Sequence, residues 1–523
     1  PSTTSRCAAA HRRTGVDALR SAIADVVARH ESLRTVYPDS VDGPYQVVLS
    51  ASDTKSELDV VRVADEQELR ERVVALASAG FDVTADVPVR AALVELGERD
   101  HVLVVVVHHI SADGSSMAPL ARDLFGAYGA RVQGEEPSFS PLPVQYPDFA
   151  LWQRNLLGSE DDSESLAGKQ IAYWTHALGD APEVLDLPAD RPRPAVRNPQ
   201  GGLIEFEIGQ DVHRSLNDLA QTHQASLFMV VHTALAVLLG RLSNTSDISV
   251  STPVAGRGDR ALDDLVGMFV NTLVLRTDVD PNARFSTLLT QAREVDLNAF
   301  GNADVPFEQI VEVLRPSRTA AYAPLAQVML SFQNLERPKL ELAGLTVEVL
   351  ESGLTTSKTD LGVAVEERFD EGSVATGMRG WFSYATDLFD ESTVRGFADR
   401  FVRVLEAVTA DADAVVGDID ILTEDEKAGM AVPDEGAQSL MSHSISEELA
   451  ATKSLPELLD GAASINPDGI ALSHNGTDVT YVQLRDKSAE LARTLAGVGV
   501  GPEAAVTVAL STLLPGLLDG SSG

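Results

Sequence analysis

At 523 residues with 44% hydrophobic content, the chain is long enough for roughly two to four compact units rather than one core. Its 41 lysines and arginines stand against 78 aspartates and glutamates, and a net charge of −37 repels phosphate backbones, which argues against nucleic acid as a partner. Cys7 is the only cysteine. This excludes an intramolecular disulfide and a thiolate zinc cluster and leads us to expect a cytoplasmic setting; no run of 18 apolar residues and no basic start before an apolar stretch suggests a membrane span or secretory signal.

Leu19, Ala22, Ile23, Val26 and Val27 recur at helical spacing and predict a helix over residues 18–30. Strand-like runs follow at 45–49, 87–96 and 101–109, with Gly97 to Asp100 as a hairpin turn between the last two. Met117, Leu120, Ala121, Leu124, Phe125 and Tyr128 then return to helical spacing, so residues 101–128 read as strand, short polar loop and helix. The proline-rich stretch 187–194 reads as a connection between two lobes. Beyond it we expect strands at 203–208, 248–254, 266–275, 328–332, 345–350 and 380–384, and helices at 212–219, 226–242 and 285–300. Residues 423–454 are polar and charged, a linker by composition, and an α/β rhythm resumes over 455–510.

The residues that point to chemistry are His108-His109-Ile110-Ser111-Ala112-Asp113-Gly114. The strand before them is apolar on both faces and so should be buried, which puts His109 at the strand–loop junction beside a cavity. An imidazole there, with an ordinary pKa near about 6.5, suits proton handling. Gly114 is expected to allow a tight turn before the helix. The same pair also fits two structural histidines at a strand end, and spacing alone leaves both readings open. A zinc site lacks a third ligand, no G-x-S-x-G elbow occurs in a strand–turn–helix context, and no phosphate-binding G-x-x-x-x-G-K-[ST] loop exists. His109 would then act directly on a substrate.

This segment resembles the His-His-x-x-x-Asp-Gly signature of condensation domains of nonribosomal peptide synthetases, which are related to chloramphenicol acetyltransferase. Further resemblances follow in family order: residues 29–35 (from Arg29 to Thr35), 146–154 (with Trp152), 266–272 (with Asn271), 304–308 (from Asp304) and 324–334. The resemblance implies two acetyltransferase-like α/β lobes, residues 1–180 and 181–425, forming a V-shaped pseudo-dimer with a tunnel between them. It implies that upstream and downstream peptidyl carrier proteins bring phosphopantetheine-bound thioesters into that tunnel, the chain itself binding no cofactor and no metal. Peptide-bond formation would centre on His109, either as base or as the group that orients the amine. His108 is expected to be structural, Asp113 to pair with Arg257 (Arg276 being second choice), Gly114 to offer its amide near the oxyanion, Asn271 to line the tunnel or hold structure, and Trp152 to pack the lobe.

Residues 116–123 and 256–266 resemble the subtype that takes a D-configured donor. His108 excludes the heterocyclising subtype, which has aspartate there. After a linker at 426–454, residues 455–523 resemble the start of an adenylation domain, through Val479 to Leu484 and Gly497 to Pro502, and an epimerisation domain is not normally followed so directly by one. Two rival readings are a coenzyme A-dependent acyltransferase of the same fold and a non-catalytic carrier-binding platform. The adenylation fragment speaks against the first, and the retained histidine–aspartate–glycine pattern against the second. The chain departs from the family in lacking a clear first motif within residues 1–15, in having Asn302 and Ala303 where His-Gln often stands, and in having Ser115 where tryptophan is frequent.

Overall fold

Helix Val16–Arg29 forms where the apolar residues recur every three to four positions, and Leu19, Ala22, Ile23, Val26 and Val27 are the side chains it buries. In the computed structural model the described residues are 3–10, 15–54, 58–97, 100–317, 319–333, 341–342, 345–350, 356–370, 374–422, 426–427, 455–474 and 477–497. They fall into two compact units, Pro1–Ile421 and Leu422–Gly523.

The first unit is built on two six-stranded mixed sheets. One has the order Glu341–Leu342, Leu345–Leu350, Thr3–Ala10, Asp100–Val107, Val89–Glu95, Leu58–Arg62. Only the last pair is parallel. Its valine run is apolar on both faces because both are covered. Leu103 and Val107 pack with the helices Val16–Arg29 and Met117–Val132. Val102, Val104 and Val106 pack with Leu69 and Val73 of helix Glu66–Ser78.

The second sheet has the order Asn271–Asp278, Asp247–Val254, Val328–Gln333, Leu361–Phe369, Ala375–Ala385, Gly201–Ile208, parallel over the central three strands and antiparallel outside them. Its core includes helix Leu227–Ser243, apolar all round and capped by Ser226. This helix shares that core with Gln210–Thr222, Phe285–Gly301 and Glu391–Ala410.

Four expectations need correction. Residues 266–270 are not strand; the strand begins at Asn271, because the backbone of Gly267 and Phe269 bonds to side chains of the 113–116 loop instead of to a neighbouring strand. Leu345–Leu350, from the range expected for the second lobe, pairs with Thr3–Ala10 in the first sheet, so a boundary at residue 180 does not divide the sheets. Thr3–Ala10 is itself a strand at the centre of that sheet, where residues 1–15 read poorly as one. The expected strand at 45–49 shrinks to Val47–Val48, paired with Thr35–Val36.

In the second unit, helix Leu455–Ile465, the hairpin of Ile470–His474 with Thr477–Thr480, and helix Tyr481–Gly497 continue the α/β rhythm. Nearly all of the expected linker 426–454, and residues 498–523, lie outside the described residues. Among the described residues no single helix is long and apolar enough to cross a membrane.

Candidate active site

Strand Asp100–Val107 stops at the paired histidines because the chain turns there: Ser111 N donates to His108 O at 3.0 Å and Ile110 N donates to His108 Nδ1 at 3.1 Å. With Nδ1 accepting, the neutral His108 carries its proton on Nε2, and its ring meets Phe81 edge-on at 5.8 Å. His108 does not line the adjacent cavity, so its bonds are those of a structural histidine.

His109 does line it. Its Nδ1 is buried with no hydrogen-bond partner among the described residues. Burial lowers its pKa from the ordinary 6.5, and the nearby Lys358 ammonium pushes the same way while Asp113 pulls weakly against them. The ring is therefore neutral at neutral pH, the form able to accept a proton.

Asp113 sits behind His109, 2% exposed, with both carboxylate oxygens engaged. Oδ1 accepts from Ser116 N at 2.8 Å and from Arg257 Nη2 at 3.2 Å, and Oδ2 accepts from Phe269 N at 2.9 Å. The Ser116 hydroxyl lies 2.8 Å from both Asp113 Oδ1 and the Gly267 carbonyl, and accepts from Arg257 Nη2 at 3.0 Å. Arg257 also donates to the carbonyls of Leu262 and Leu265 and lies 4.1 Å over the Phe269 ring. Arg257 is thus the arginine that reaches Asp113; Arg276 pairs with Asp247 and Asp180 instead.

Residues 256–270 form a strap that leaves the second sheet and is tied by several bonds to helices and loops between residues 32 and 146. Besides Asp113, these are Ser32 Oγ to Val266 O at 2.6 Å, Tyr146 OH to Met268 O at 2.7 Å and Arg122 Nη1 to Asp264 Oδ1 at 2.7 Å. Gly256 starts the strap at φ +65°, and a Cβ there would stand 2.0 Å from Phe269 O, so only glycine fits. Gly114, by contrast, is exposed, has no left-handed φ and does not line the cavity; Asp113 and Ser116 make the turn that was expected of it.

The cavity measures about 1190 Å³. One wall is helix Tyr146–Leu157, which contributes Phe149 and Trp152. Trp152 is 55% exposed, which corrects the packing role expected for it. Asn271 lines the cavity and spends its whole side chain on structure: Nδ2 donates to Ala303 O and Val305 O at 2.8 Å each, and Oδ1 accepts from Phe307 N at 3.0 Å. Asn302 gives its carbonyl to Trp174 Nε1 at 2.9 Å. Gln170, absent from the sequence reading, fixes the same wall by donating to Asp304 Oδ2 at 2.7 Å and accepting from Asp304 N and Val305 N. Lys358 was missed as well; it is an isolated cation in a loop, and no spacing singles it out.

Arg29 and His30 serve the frame. Both reach Asp123 Oδ2, at 2.7 and 3.0 Å, and Gln145 Nε2 donates to Arg29 O at 3.0 Å, which fixes the start of the Tyr146 helix. Among the described residues no cluster of histidine, cysteine or carboxylate side chains could hold a metal ion.

Such a site, a neutral imidazole open to a large cavity and backed by a buried carboxylate–guanidinium clasp, is suited to accepting a proton from a nucleophile. Comparison with known proteins gives it a family. The profile of the condensation domain matches residues 3–431. A dimodular nonribosomal peptide synthase of Bacillus subtilis (strain 168) is 42% identical over 94% of the chain, and an isonitrile lipopeptide synthase of Mycobacterium tuberculosis is 39% identical over 96%. The chain spans 20% of the length of each. Among solved structures, the X-domain from teicoplanin biosynthesis, in complex with OxyB, is similar over 81% of this chain and 91% of its own, with 33% identity and a TM-score of 0.76. A four-domain nonribosomal peptide synthetase shares the fold over 95% of this chain and 37% of its own, at 21% identity and a TM-score of 0.70. The chain belongs to the condensation-domain family of the nonribosomal peptide synthetases, acyltransferases that form peptide bonds.

Proposed function

We propose that this chain joins a peptidyl thioester held by an upstream carrier protein to the amine of an aminoacyl thioester held by a downstream one, with His109 as the reacting imidazole. The observation that carries this reading is the position of His109: neutral, at the end of a rigid strand, open to a cavity that residues far apart in sequence enclose. The amine nitrogen attacks the donor's carbonyl carbon, and a C–N bond forms as the carbonyl electron pair moves to oxygen. His109 takes the amine proton. Collapse of the tetrahedral species breaks the C–S bond, and the proton passes to the departing sulfur, giving amide and free thiol. The Asp113–Arg257 clasp positions the loop and touches no substrate in this scheme, and Asn271 holds the wall at Ala303 to Phe307; Gly114, outside the cavity, takes no part in it.

The finer reading follows the same resemblance. Two acetyltransferase-like lobes form a V with the tunnel between them, phosphopantetheine arms arrive on the carriers, and the protein works in the cytoplasm. Residues 455–523 are the start of an adenylation domain; the described helix, hairpin and helix there, and similarity to a four-domain synthetase over 95% of the chain, support this. The donor residue is D-configured, a choice supported by the runs at 116–123 and 256–266.

One observation favours a second reading, a non-catalytic platform: the similarity to an X-domain solved in complex with OxyB. Retention of His108, His109 and Asp113 beside an open cavity favours catalysis. The test is reconstitution with chemically loaded donor and acceptor carriers, read by mass spectrometry of the acceptor. The condensation reading expects the acceptor to gain the donor acyl group, and a D-terminal donor to outcompete its L-epimer by at least about tenfold. No product from either epimer would favour the platform. Product formed only from a coenzyme A donor would make the chain an acyltransferase of the other kind.

A further inference from the structure

Lys358 stands out in the cavity for what surrounds it. Among the described residues that line the cavity it is the only lysine or arginine, sharing the lining with Asp148, Asp259, Asp304 and Glu308, and among the described residues its ammonium has no ion-pair partner. This is unusual in a chain with nearly twice as many carboxylates as cations, where a free lysine would ordinarily find one.

The backbone that presents Lys358 is fixed on both sides. Its neighbours Ser357, Thr359 and Asp360 are all buried. Asp360 receives Arg193 in a bidentate pair at 2.9 and 2.6 Å, Ser357 N donates to Pro199 O at 3.1 Å, Thr359 Oγ1 donates to Leu361 O at 3.0 Å, and the Lys358 carbonyl accepts from Arg197. Lys358 is the exposed residue of this run, and it lines the same cavity as His109. Although its side chain is accessible, the accessible surface belongs to a cleft, and the surrounding protein lowers its pKa and so makes it a stronger hydrogen-bond donor. Its charge is felt at His109.

We infer that Lys358 is a second catalytic residue of this cavity, donating a hydrogen bond to the carbonyl oxygen of the donor thioester as that oxygen becomes an oxyanion. The inference rests on the condensation reading and adds to it the group that takes up the developing negative charge. As the amine nitrogen bonds to the carbonyl carbon, the carbonyl electron pair moves to oxygen beside the Lys358 ammonium. His109 removes the nitrogen's proton, and Lys358 keeps its own proton throughout. When the C–S bond breaks, the pair returns to the carbonyl and the interaction relaxes. A cation that strengthens its hold only in the tetrahedral species accelerates the step without tightening ground-state binding.

The other anion a lysine here would meet is the phosphate of a pantetheine arm. That phosphate lies at the carrier end of the arm, away from the thioester, whereas Lys358 lines the same cavity as His109.

The test is steady-state kinetics of Lys358→Met and Lys358→Arg with chemically loaded donor and acceptor carriers, alongside melting temperatures. We expect Lys358→Met to lower kcat by about 10²–10³-fold, the usual loss of one oxyanion donor. KM for the donor carrier should stay within about twofold, melting should be unchanged because the ammonium has no ion-pair partner among the described residues, and arginine should restore kcat to within about tenfold of wild type. Should the methionine variant not fold, Lys358→Gln takes its place in the same comparison. An active wild type whose neutral variant keeps kcat within about threefold overturns this inference alone. A raised donor KM with unchanged kcat overturns it in favour of phosphate binding. A wild type that makes no product overturns the condensation reading, and this inference with it.

Discussion

Asp113 is held by Ser116, Arg257 and Phe269 from two different parts of the first unit, and it lies behind His109 rather than in the cavity. Asp113→Asn keeps the shape but removes the charge that Arg257 faces and turns an N–H toward the Phe269 amide. Breaking one side of a buried ion pair costs about 3–5 kcal/mol, so melting temperature and activity should fall together. Lost activity with unchanged melting would instead put Asp113 in direct contact with substrate. His109 makes a prediction in pH. Its folded pKa lies below 6.5, and the neutral ring is the active form. Activity should therefore hold as pH falls to neutrality and drop only on passing below that value. The pH dependence of kcat/KM, which reports groups of the free enzyme, should show an acid limb below 6.5; a limb above it would contradict a His109 desolvated in the cavity.

The elements that were legible in the sequence are those whose periodicity meets one environment along their length. Helix Val16–Arg29 buries the five side chains its spacing singled out, and strand Asp100–Val107 is covered on both faces, as a continuous valine run requires. The strap at 256–270 read as strand at its end because Val266, Phe269 and Val270 are apolar, yet they serve a loop whose backbone bonds to Asp113 and Ser116. His109, Asp113 and Arg257 were reachable through a motif and a resemblance. Gln170 and Lys358 were not, since each acts through partners or walls distant in sequence. Gly256 makes the strap testable. With φ at +65° and Phe269 O in the space of a Cβ, Gly256→Ala should destabilise by more than the roughly 1–2 kcal/mol of a left-handed L-residue. Moving Phe269 also disturbs its bond to Asp113, so condensation should slow as well. Chemical denaturation that shows no loss of stability would mean the strap is held less firmly than its bonds imply.

Over the whole first unit, the cavity is a product of assembly. His109 comes from the loop after an inner strand of the first sheet, Trp152 from the Tyr146 helix, Asn271 from the second sheet, and Lys358 from the loop before strand Leu361–Phe369. No short segment contains it, which is why the sequence yields the reacting residue more readily than the walls around it. Those walls decide whether His109 works on a carrier-bound thioester or merely sits beside a cavity. The most direct test is the mass of the acceptor carrier after incubation with a loaded donor carrier and either wild-type chain or His109→Ala. The account predicts that wild type transfers the donor acyl group, while the folded His109→Ala variant does so about 10²–10⁴-fold more slowly. Transfer by His109→Ala at more than about a third of the wild-type rate, far above the loss expected of a removed general base, would contradict it.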